Sequence, residues 1–371
     1  MRLTHTREFQ LLKNAAKLVL PGAHAWHGPI DDGDVVAAVD PVFMEWPRDV
    51  RKPMVGLVRD RDDYPYWTKY RRFLEANDLP WRVYDIHRSD WLTQAAGLDC
   101  VVWRPLSFPS ELEECRRKVY ILERELGTLC SPSFDEAMLY EDKLLQYELL
   151  TRHGLPVIPT FVSHSEEEAL EYVRSTSYPA VWKVAAGSGS WGVELVRDAR
   201  QAERLVRCVF SFHGRRTYWP YVAQKDYVFI QRFEPNAGWD LRVISIGDLT
   251  AGYYRDVPAG EFRASGMGTV RRGAPPEEAM RLALRVREAL ELPSLAVDLL
   301  ADPADGRLSI IETSSFIMVR TPMQLQVDGV PGVFVHEEDD SFRFVPLIVW
   351  QQELVLREVL RRGWIDAGRG R

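Results

Sequence analysis

The chain of 371 residues carries 47 basic against 54 acidic side chains, a net charge of -7, and 46% apolar residues including 12 Trp. This composition excludes a disordered chain, and the acidic balance provides no broad basic field for nucleic acid, although a locally basic cleft stays open. The length suits two or three lobes rather than one small core.

Residues 1–50 read as an N-terminal extension: an amphipathic stretch from Arg7 to Leu20, a stop at Pro21-Gly22, and a Gly/Asp-rich turn from Gly28 to Gly33. From Met54 the rhythm becomes strand, helix, strand. Strands are expected at Met54–Val58, Trp81–Ile86 and Cys100–Trp103, and helices at Tyr66–Asn77 and Glu111–Leu126. That alternation predicts a small parallel α/β domain over residues 51–134.

One helix is expected from Asp135 to about His153, with Gly154 as its left-handed stop and Pro156 blocking continuation. Ser165 and Glu168 have the spacing of a capping box for the next helix. Beyond it, strands at Ala180–Ala186, Tyr227–Phe233, Leu241–Ile246, Ser294–Ala301 and Leu308–Glu312 are interrupted by helices at Ala199–Phe212 and Glu277–Leu290. This is a mixed α+β region, divided here into a small lobe over 135–230 and a large lobe over 231–371. A final helix at Pro346–Arg362 is expected to close the fold by packing.

Four cysteines show no CxxC pair and no metal-ligand spacing, so they read as reduced thiols. No apolar run approaches the ~20 residues that cross a bilayer, and no signal-peptide pattern is present, so the cytoplasm is the expected address. The histidines form no HxH or HxxxH pair, and His87, alone after a strand, is given no role.

Only eight of the 47 basic residues are Lys, and two of them stand in strongly patterned surroundings. Lys143 lies in Glu-Asp-Lys-Leu-Leu and Lys183 in Ala-Val-Trp-Lys-Val, where a compact point charge is a different tool from the arginine fork. Lys183 leads into Gly187-Ser188-Gly189-Ser190-Trp191-Gly192, read as a β-hairpin flap whose backbone N–H groups can fold over phosphates. The run matches GxGxxG, but no helix follows it, so the dinucleotide-binding fingerprint fails, and no GxxxxGK[ST] exists for a P-loop.

Phe229-Ile-Gln231-Arg232-Phe233-Glu234 reads as an apolar strand edge whose free backbone groups suit an adenine ring, or as a core strand with a solvated Glu234. Asp240 and Arg242 fall on one strand face and Leu241 and Val243 on the other. Arg242 can serve a phosphoryl group bidentately or pair with Asp240. Asp298 and Glu312 each sit in an apolar strand, and a turn at Asp305-Gly306 would bring them together as a hairpin. Paired buried carboxylates are economically explained by Mg2+.

In this order the residues resemble the ATP-grasp superfamily, most closely its glutathione-synthetase and ribosomal-S6-modification-like branch, over about residues 130–320. The resemblance implies a fold of class α/β plus α+β: a pre-ATP-grasp α/β domain followed by the two ATP-grasp lobes. It implies ATP phosphates on Lys143, and adenine and the α-phosphate on Lys183. The flap Gly187–Gly192 would cover the β- and γ-phosphates, Gln231, Arg232 and Phe233 would contact adenine, and Glu234 the ribose. Asp298 and Glu312 would hold Mg2+, while Arg242 and Arg263 would steady the transferring group. The family usually has Asn two residues after the second acid. Here Ser314 stands there, a poorer ligand, which puts the usual two-metal arrangement in doubt.

The activity so implied is a carboxylate–amine ligase that works through an acyl phosphate and releases ADP and phosphate. The alternatives are a small-molecule kinase acting on a hydroxyl and a nucleotide-binding homologue with impaired turnover. The expected partners are a small carboxylate and an amine, with a peptide or saccharide acid open, and no nucleic acid or membrane. Such relatives are often dimers or tetramers, so a homo-oligomer also stays open. Arg-rich stretches at Tyr254-Arg-Asp and Val270-Arg-Arg-Gly read either as anion-facing or as solvated loops. The segments His213–Asp226 and Met318–Val335 are candidate substrate-pocket walls or surface loops.

Overall fold

The structure is a computed structural model and describes Val36 and residues 38–60, 62, 65–187, 192–217, 219, 221–235, 237–258, 260–263, 269–322 and 325–370. The amphipathic stretch at Arg7–Leu20 and the turn at Gly28–Gly33 lie outside the described residues. The described part of the extension is tied down at several points. The Val42 N–H donates to Glu353 at 2.8 Å, Met44 N–H to Asn77 at 2.8 Å, and Arg51 pairs with Asp99 at 2.7 Å.

Four short parallel strands follow, β1 (Val55–Leu57), β2 (Trp81–Val83), β3 (Cys100–Val102) and β4 (Leu129–Ser131), in the order β2-β1-β3-β4. They are joined by α1 (Trp67–Ala76), α2 (Trp91–Gln94) and α3 (Pro109–Arg124), the last opened by a proline whose missing N–H costs nothing at that position. The inner strands β1 and β3 are fully buried and apolar and pack against α1 on one face and α3 on the other, as a parallel sheet covered on both faces requires.

The single helix expected over Asp135–His153 is two helices, α4 (Phe134–Leu139) and α5 (Lys143–Arg152). Ser133 and Glu136 form a reciprocal capping box on α4, and Asp142 caps α5 by accepting the Leu145 N–H at 3.0 Å. Between them Glu141 takes φ 57°, a left-handed conformation uncommon outside glycine and asparagine. Tertiary contacts outweigh helix propensity here: Tyr140 stacks on Phe316 at 4.1 Å between centroids, and Glu141 accepts the Gly187 N–H at 2.9 Å.

The small lobe is an antiparallel sheet, β5 (Thr160–Ser163), β6 (Ala180–Trp182), β7 (Glu194–Val196) and β10 (Val228–Arg232), in the order β5-β10-β6-β7. Its helices are α6 (Glu166–Ser175) and α7 (Ala199–Val209). Ser165 caps α6 as expected, but Glu168 does not close the box, because its carboxylate takes the Ser163 hydroxyl instead. The segment expected as a pocket wall at His213–Asp226 carries a hairpin, β8 (Arg215–Arg216) with β9 (Ala223–Gln224), anchored where Trp182 Nε1 donates to Gln224 at 2.9 Å.

The large lobe is built on β11 (Trp239–Ile246), β12 (Leu249–Asp256), β13 (Thr269–Arg271), β14 (Ser294–Ala301), β15 (Leu308–Ser314), β16 (Gln326–Val327), β17 (Val330–His336) and β18 (Phe342–Pro346). The main path runs β15-β14-β11-β12-β17-β16, with β13 on β12 and β18 on β17. Strand alternation divides the sheet. Leu241, Val243, Leu295, Val297 and Leu299 pack on α8 (Glu277–Ala289), which lends Ala279, Met280, Ala283 and Val286. Ile244, Ile246 and Ala296 face the opposite side, where they join α1, β1 and α9 (Gln351–Leu360) in one core. The final helix is thus shorter than expected but almost wholly buried, and it continues as a π-helical turn at Arg361–Asp366. No helix among the described residues is long and apolar enough to cross a membrane.

Candidate active site

A cleft lies between the small-lobe sheet and the large-lobe sheet. Ile158, Val181, Leu300 and Ile311 give it apolar walls, while Lys143, Lys183, Asp298 and Glu312 gather charge. Of the segments read as substrate walls or surface loops, no described residue of His213–Asp226 or Met318–Val335 lines it. The latter forms the β16–β17 edge, where Leu325 and Val333 pack on Ala251.

Lys143 opens α5, buried, with Nζ donating to Gly187 O at 2.8 Å and 3.5 Å from Glu312. Burial alone would lower its pKa, but Glu312 and Glu141 outweigh it and raise the pKa, so Lys143 stays charged. Lys183, one residue past β6, is buried, and its ammonium makes no hydrogen bond among the described residues. Burial pushes its pKa down to about 8, with Glu312 opposing and Lys143 reinforcing. An ammonium so placed is completed by an anionic ligand. We predict that ADP affinity is flat below pH 8 and weakens above it by up to about tenfold per pH unit as the proton is lost, and that Lys183→Met flattens the profile. Titration calorimetry across pH is the check, and a wild-type affinity unchanged to about pH 9 would contradict this role.

β6 and β7 pair antiparallel, so the glycine-rich segment joins two hairpin strands, but Ser188, Gly189, Ser190 and Trp191 lie outside the described residues. At its ends Gly187 bonds both Glu141 and Lys143. Gly192 has φ 79°, and a Cβ there would lie 2.2 Å from Val184 Cγ2, so only glycine fits.

Gln231, Arg232, Phe233 and Glu234 all border the cleft. The expectation of a free strand edge is corrected, because β10 is an inner strand between β5 and β6 and the Arg232 N–H donates to Pro159 O at 2.9 Å. Backbone groups for a planar ring therefore come from the chain after Arg232. There Glu234 faces the cleft, paired with Arg232 Nε at 2.8 Å.

The acids meet through register: Asp298 on β14 lies opposite both Arg242 on β11 and Glu312 on β15. Arg242 grips Asp298 with two bonds of 2.7 Å, so it supports the cleft from behind and is not among its lining residues. The expected Asp240–Arg242 pair is corrected. Asp240 is held by Arg255 at 2.6 and 2.9 Å, and Arg255 also reaches Asp298 at 2.8 Å. Burial would push Asp298 up, yet Arg242 and Arg255 hold it well below the usual carboxylate range. Burial pushes Asp240 up, against the opposing pull of Arg255. Arg263 lines the cleft beside Phe262 and pairs with Glu261 at 3.0 Å.

Glu141 was not singled out from the sequence, and Arg255 was noted only within Tyr254-Arg-Asp, as anion-facing or solvated. Tyr254-Arg-Asp is the end of β12 rather than a loop, and the Gly247-Asp248 turn after β11 was the available signal for that hairpin. Glu141 carries no local signal, since its role depends on Gly187, 46 residues away. The other Arg-rich stretch is the exposed β13, where Arg271 pairs with Asp256 at 3.0 Å.

No group of three or more His, Cys, Asp and Glu among the described residues makes a ready metal cage. Asp298 and Glu312, opposed across β14 and β15, instead match the way Mg2+ is bound by one or two carboxylates with substrate phosphates completing the shell. Ser314 does not line the cleft, and its hydroxyl donates to Phe316 O at 2.9 Å.

Comparison with known proteins agrees with this geometry. The RimK-like ATP-grasp domain profile matches residues 140–328. The chain is 31% identical over 176 residues to the alpha-aminoadipate–LysW ligase LysX of Sulfurisphaera tokodaii, covering 45% of this chain and 56% of that one. It is 27% identical over 197 residues to the glutamate–LysW ligase ArgX of the same organism, covering 52% and 64%. The chain thus spans little more than half the length of the curated relatives it matches. Among solved structures, a RimK domain ATP-grasp protein from Sphaerobacter thermophilus superposes with TM-score 0.51 at 20% identity over 72% of this chain and 92% of that one, a likeness of fold. With its small-lobe sheet facing the acid-bearing sheet of the large lobe, and with the profile matched over just over half its length, the chain belongs to the RimK-like ATP-grasp family.

Proposed function

We propose that the protein is an ATP-dependent carboxylate–amine ligase. The observation that carries this reading is a single cleft with two buried lysines on one side and two cross-strand carboxylates on the other. Lys143 and Lys183 bind the phosphates, and the apolar walls with the Phe233–Glu234 segment take the nucleoside. Asp298 and Glu312 would hold Mg2+, which when bound neutralises charge on the phosphates. A substrate carboxylate oxygen attacks the γ-phosphorus and ADP departs; an amine then displaces phosphate from the acyl carbon and gives up a proton. The chain's part is alignment and charge, with Arg263 at the cleft wall and Arg255 beside Asp298 facing the oxygens as charge develops.

The named relatives join alpha-aminoadipate or glutamate to a partner, so we take an acidic amino acid as the first amine to try and a small carboxylate as its mate. The kinase alternative draws no support from relatives whose names are all ligases. Buried free thiols at Cys100, Cys115 and Cys130 suit the cytoplasm. The test is an ADP-release screen of wild type and Lys183→Ala against carboxylates crossed with amines. Release that needs both substrates and drops roughly 100-fold or more in the variant is expected. Equal release by both proteins with every pair would sink the reading.

A further inference from the structure

A second, small pocket shares no lining residue with the nucleotide cleft. It lies where the chain leaving β3 and β4 meets the start of β14, the segment after β15, and α9. In the sheet order β2-β1-β3-β4 the chain turns in opposite directions from β1 and β3, and the carboxyl ends at such a switch point are where open α/β sheets receive ligands.

Arg104, two residues past β3, forms part of the wall and is only 8% exposed. Its guanidinium lies 4.9 Å from the ring centre of Phe316, 5.2 Å from Tyr66 and 5.6 Å from Tyr140. It donates to Pro105 O, while its Nε has no partner, and no carboxylate lies within ion-pair distance among the described residues. The nearby acid Asp60 spends its carboxylate on the N–H groups of Trp67 and Asp62. Aromatic faces stabilise a cation but supply no negative charge to balance it, and a buried charge without an ion pair is costly.

Two more atoms of the same walls lack partners, Ser294 Oγ and Gln352 Oε1. The acid in the walls, Glu136, is pushed by burial up to about 7 against the hydrogen bonds from Ser133, so much of it is neutral near pH 7 and repels an anion less. An unpartnered Arg104 Nε and an unpartnered Ser294 hydroxyl therefore belong to the walls of one pocket, whose acid is partly neutral.

We propose that this cavity is a binding site for a small carboxylate, gripped by Arg104 and assisted by the Ser294 hydroxyl. The carboxylate can belong to a reacting acid or to a separate acid that the protein binds. Titration calorimetry with acetate, succinate and glutarate is the test, with ADP affinity measured on the same samples. Wild type is expected to bind at least one of the three at millimolar concentration, and Arg104→Met to weaken that binding about tenfold or more with ADP affinity unchanged. The melting point of the variant should no longer rise with the acid. Should Arg104→Met fail to fold, Ser294→Ala must weaken the same acid. ADP release that depends on the probe identifies a reacting acid, and binding without release a separate one; both support the site. Equal affinity in wild type and variants, or no binding of any probe as in a cavity that holds only water, overturns it. Unchanged ADP affinity keeps that failure distinct from a failure of the nucleotide reading.

Discussion

Glu312→Gln is expected to lower substrate-dependent ADP formation by roughly 100- to 1,000-fold while shifting the melting temperature by only a few degrees. The two effects separate because of where the carboxylate lies. Its side chain is 28% exposed, and its ion pair with Lys143 is 3.5 Å long, the kind of contact that contributes little to stability. Glutamine preserves shape on β15 and keeps the register opposite Asp298. What disappears is one of the negative charges of the cleft, the one set opposite Asp298 and beside Lys143, and with it the balance that holds phosphates and a cation together. Steady-state ADP release and thermal melting on the same preparation are the measurements. Turnover within threefold or so of wild type would remove Glu312 from the machinery.

Arg255→Met is expected to act on stability and turnover together, destabilising the fold by roughly 3–5 kcal/mol. Arg255 is nearly buried between Asp240 and Asp298, and its removal leaves Asp240 without its cation. Asp298 keeps Arg242, so the damage centres on Asp240. The pH dependence follows from the direction of the Asp240 shift. A carboxyl whose folded pKa is raised takes up a proton more readily folded than unfolded, so stability is greatest at low pH and is lost as pH rises through the folded value. Without Arg255 that value rises further, and the variant should be markedly weaker at pH 8 than at pH 5 relative to wild type. Adding Asp240→Asn should restore much of the stability but not the turnover, because Arg255 also faces the cleft. Denaturation midpoints for the four members of the cycle decide this. Additive losses would show that the pair does not act as a unit.

The order of strands and helices was largely legible. β14 begins and ends where the apolar pattern predicts, α8 falls one residue short, and β1, β2 and β3 lie inside their predicted spans, whereas β4 was not predicted. Strand alternation also put Arg242 and Asp240 on the face away from Leu241 and Val243, which is the division the two cores show. Most of the misses have one origin. The break at Glu141, the inner position of β10 and the exchange of partners between Arg242 and Arg255 all depend on residues distant along the chain, while Glu168 leaves its capping box for a local competitor, Ser163.

Taken alone, the amino-acid sequence determined what is local: periodicity sets helix or strand, capping residues and Gly154 set boundaries, and the order of lysines, glycines and acids identifies a family. Tertiary structure alone decided which charges meet. Asp298 is gripped by two arginines from β11 and β12, Lys143 touches a loop 44 residues on, and Arg104 stands among Tyr66, Tyr140 and Phe316. Backbone preference acts over a few residues and can be read in order, whereas an ion pair or a cavity is set by strand register and by packing between sheets, which bring together side chains that no local pattern links.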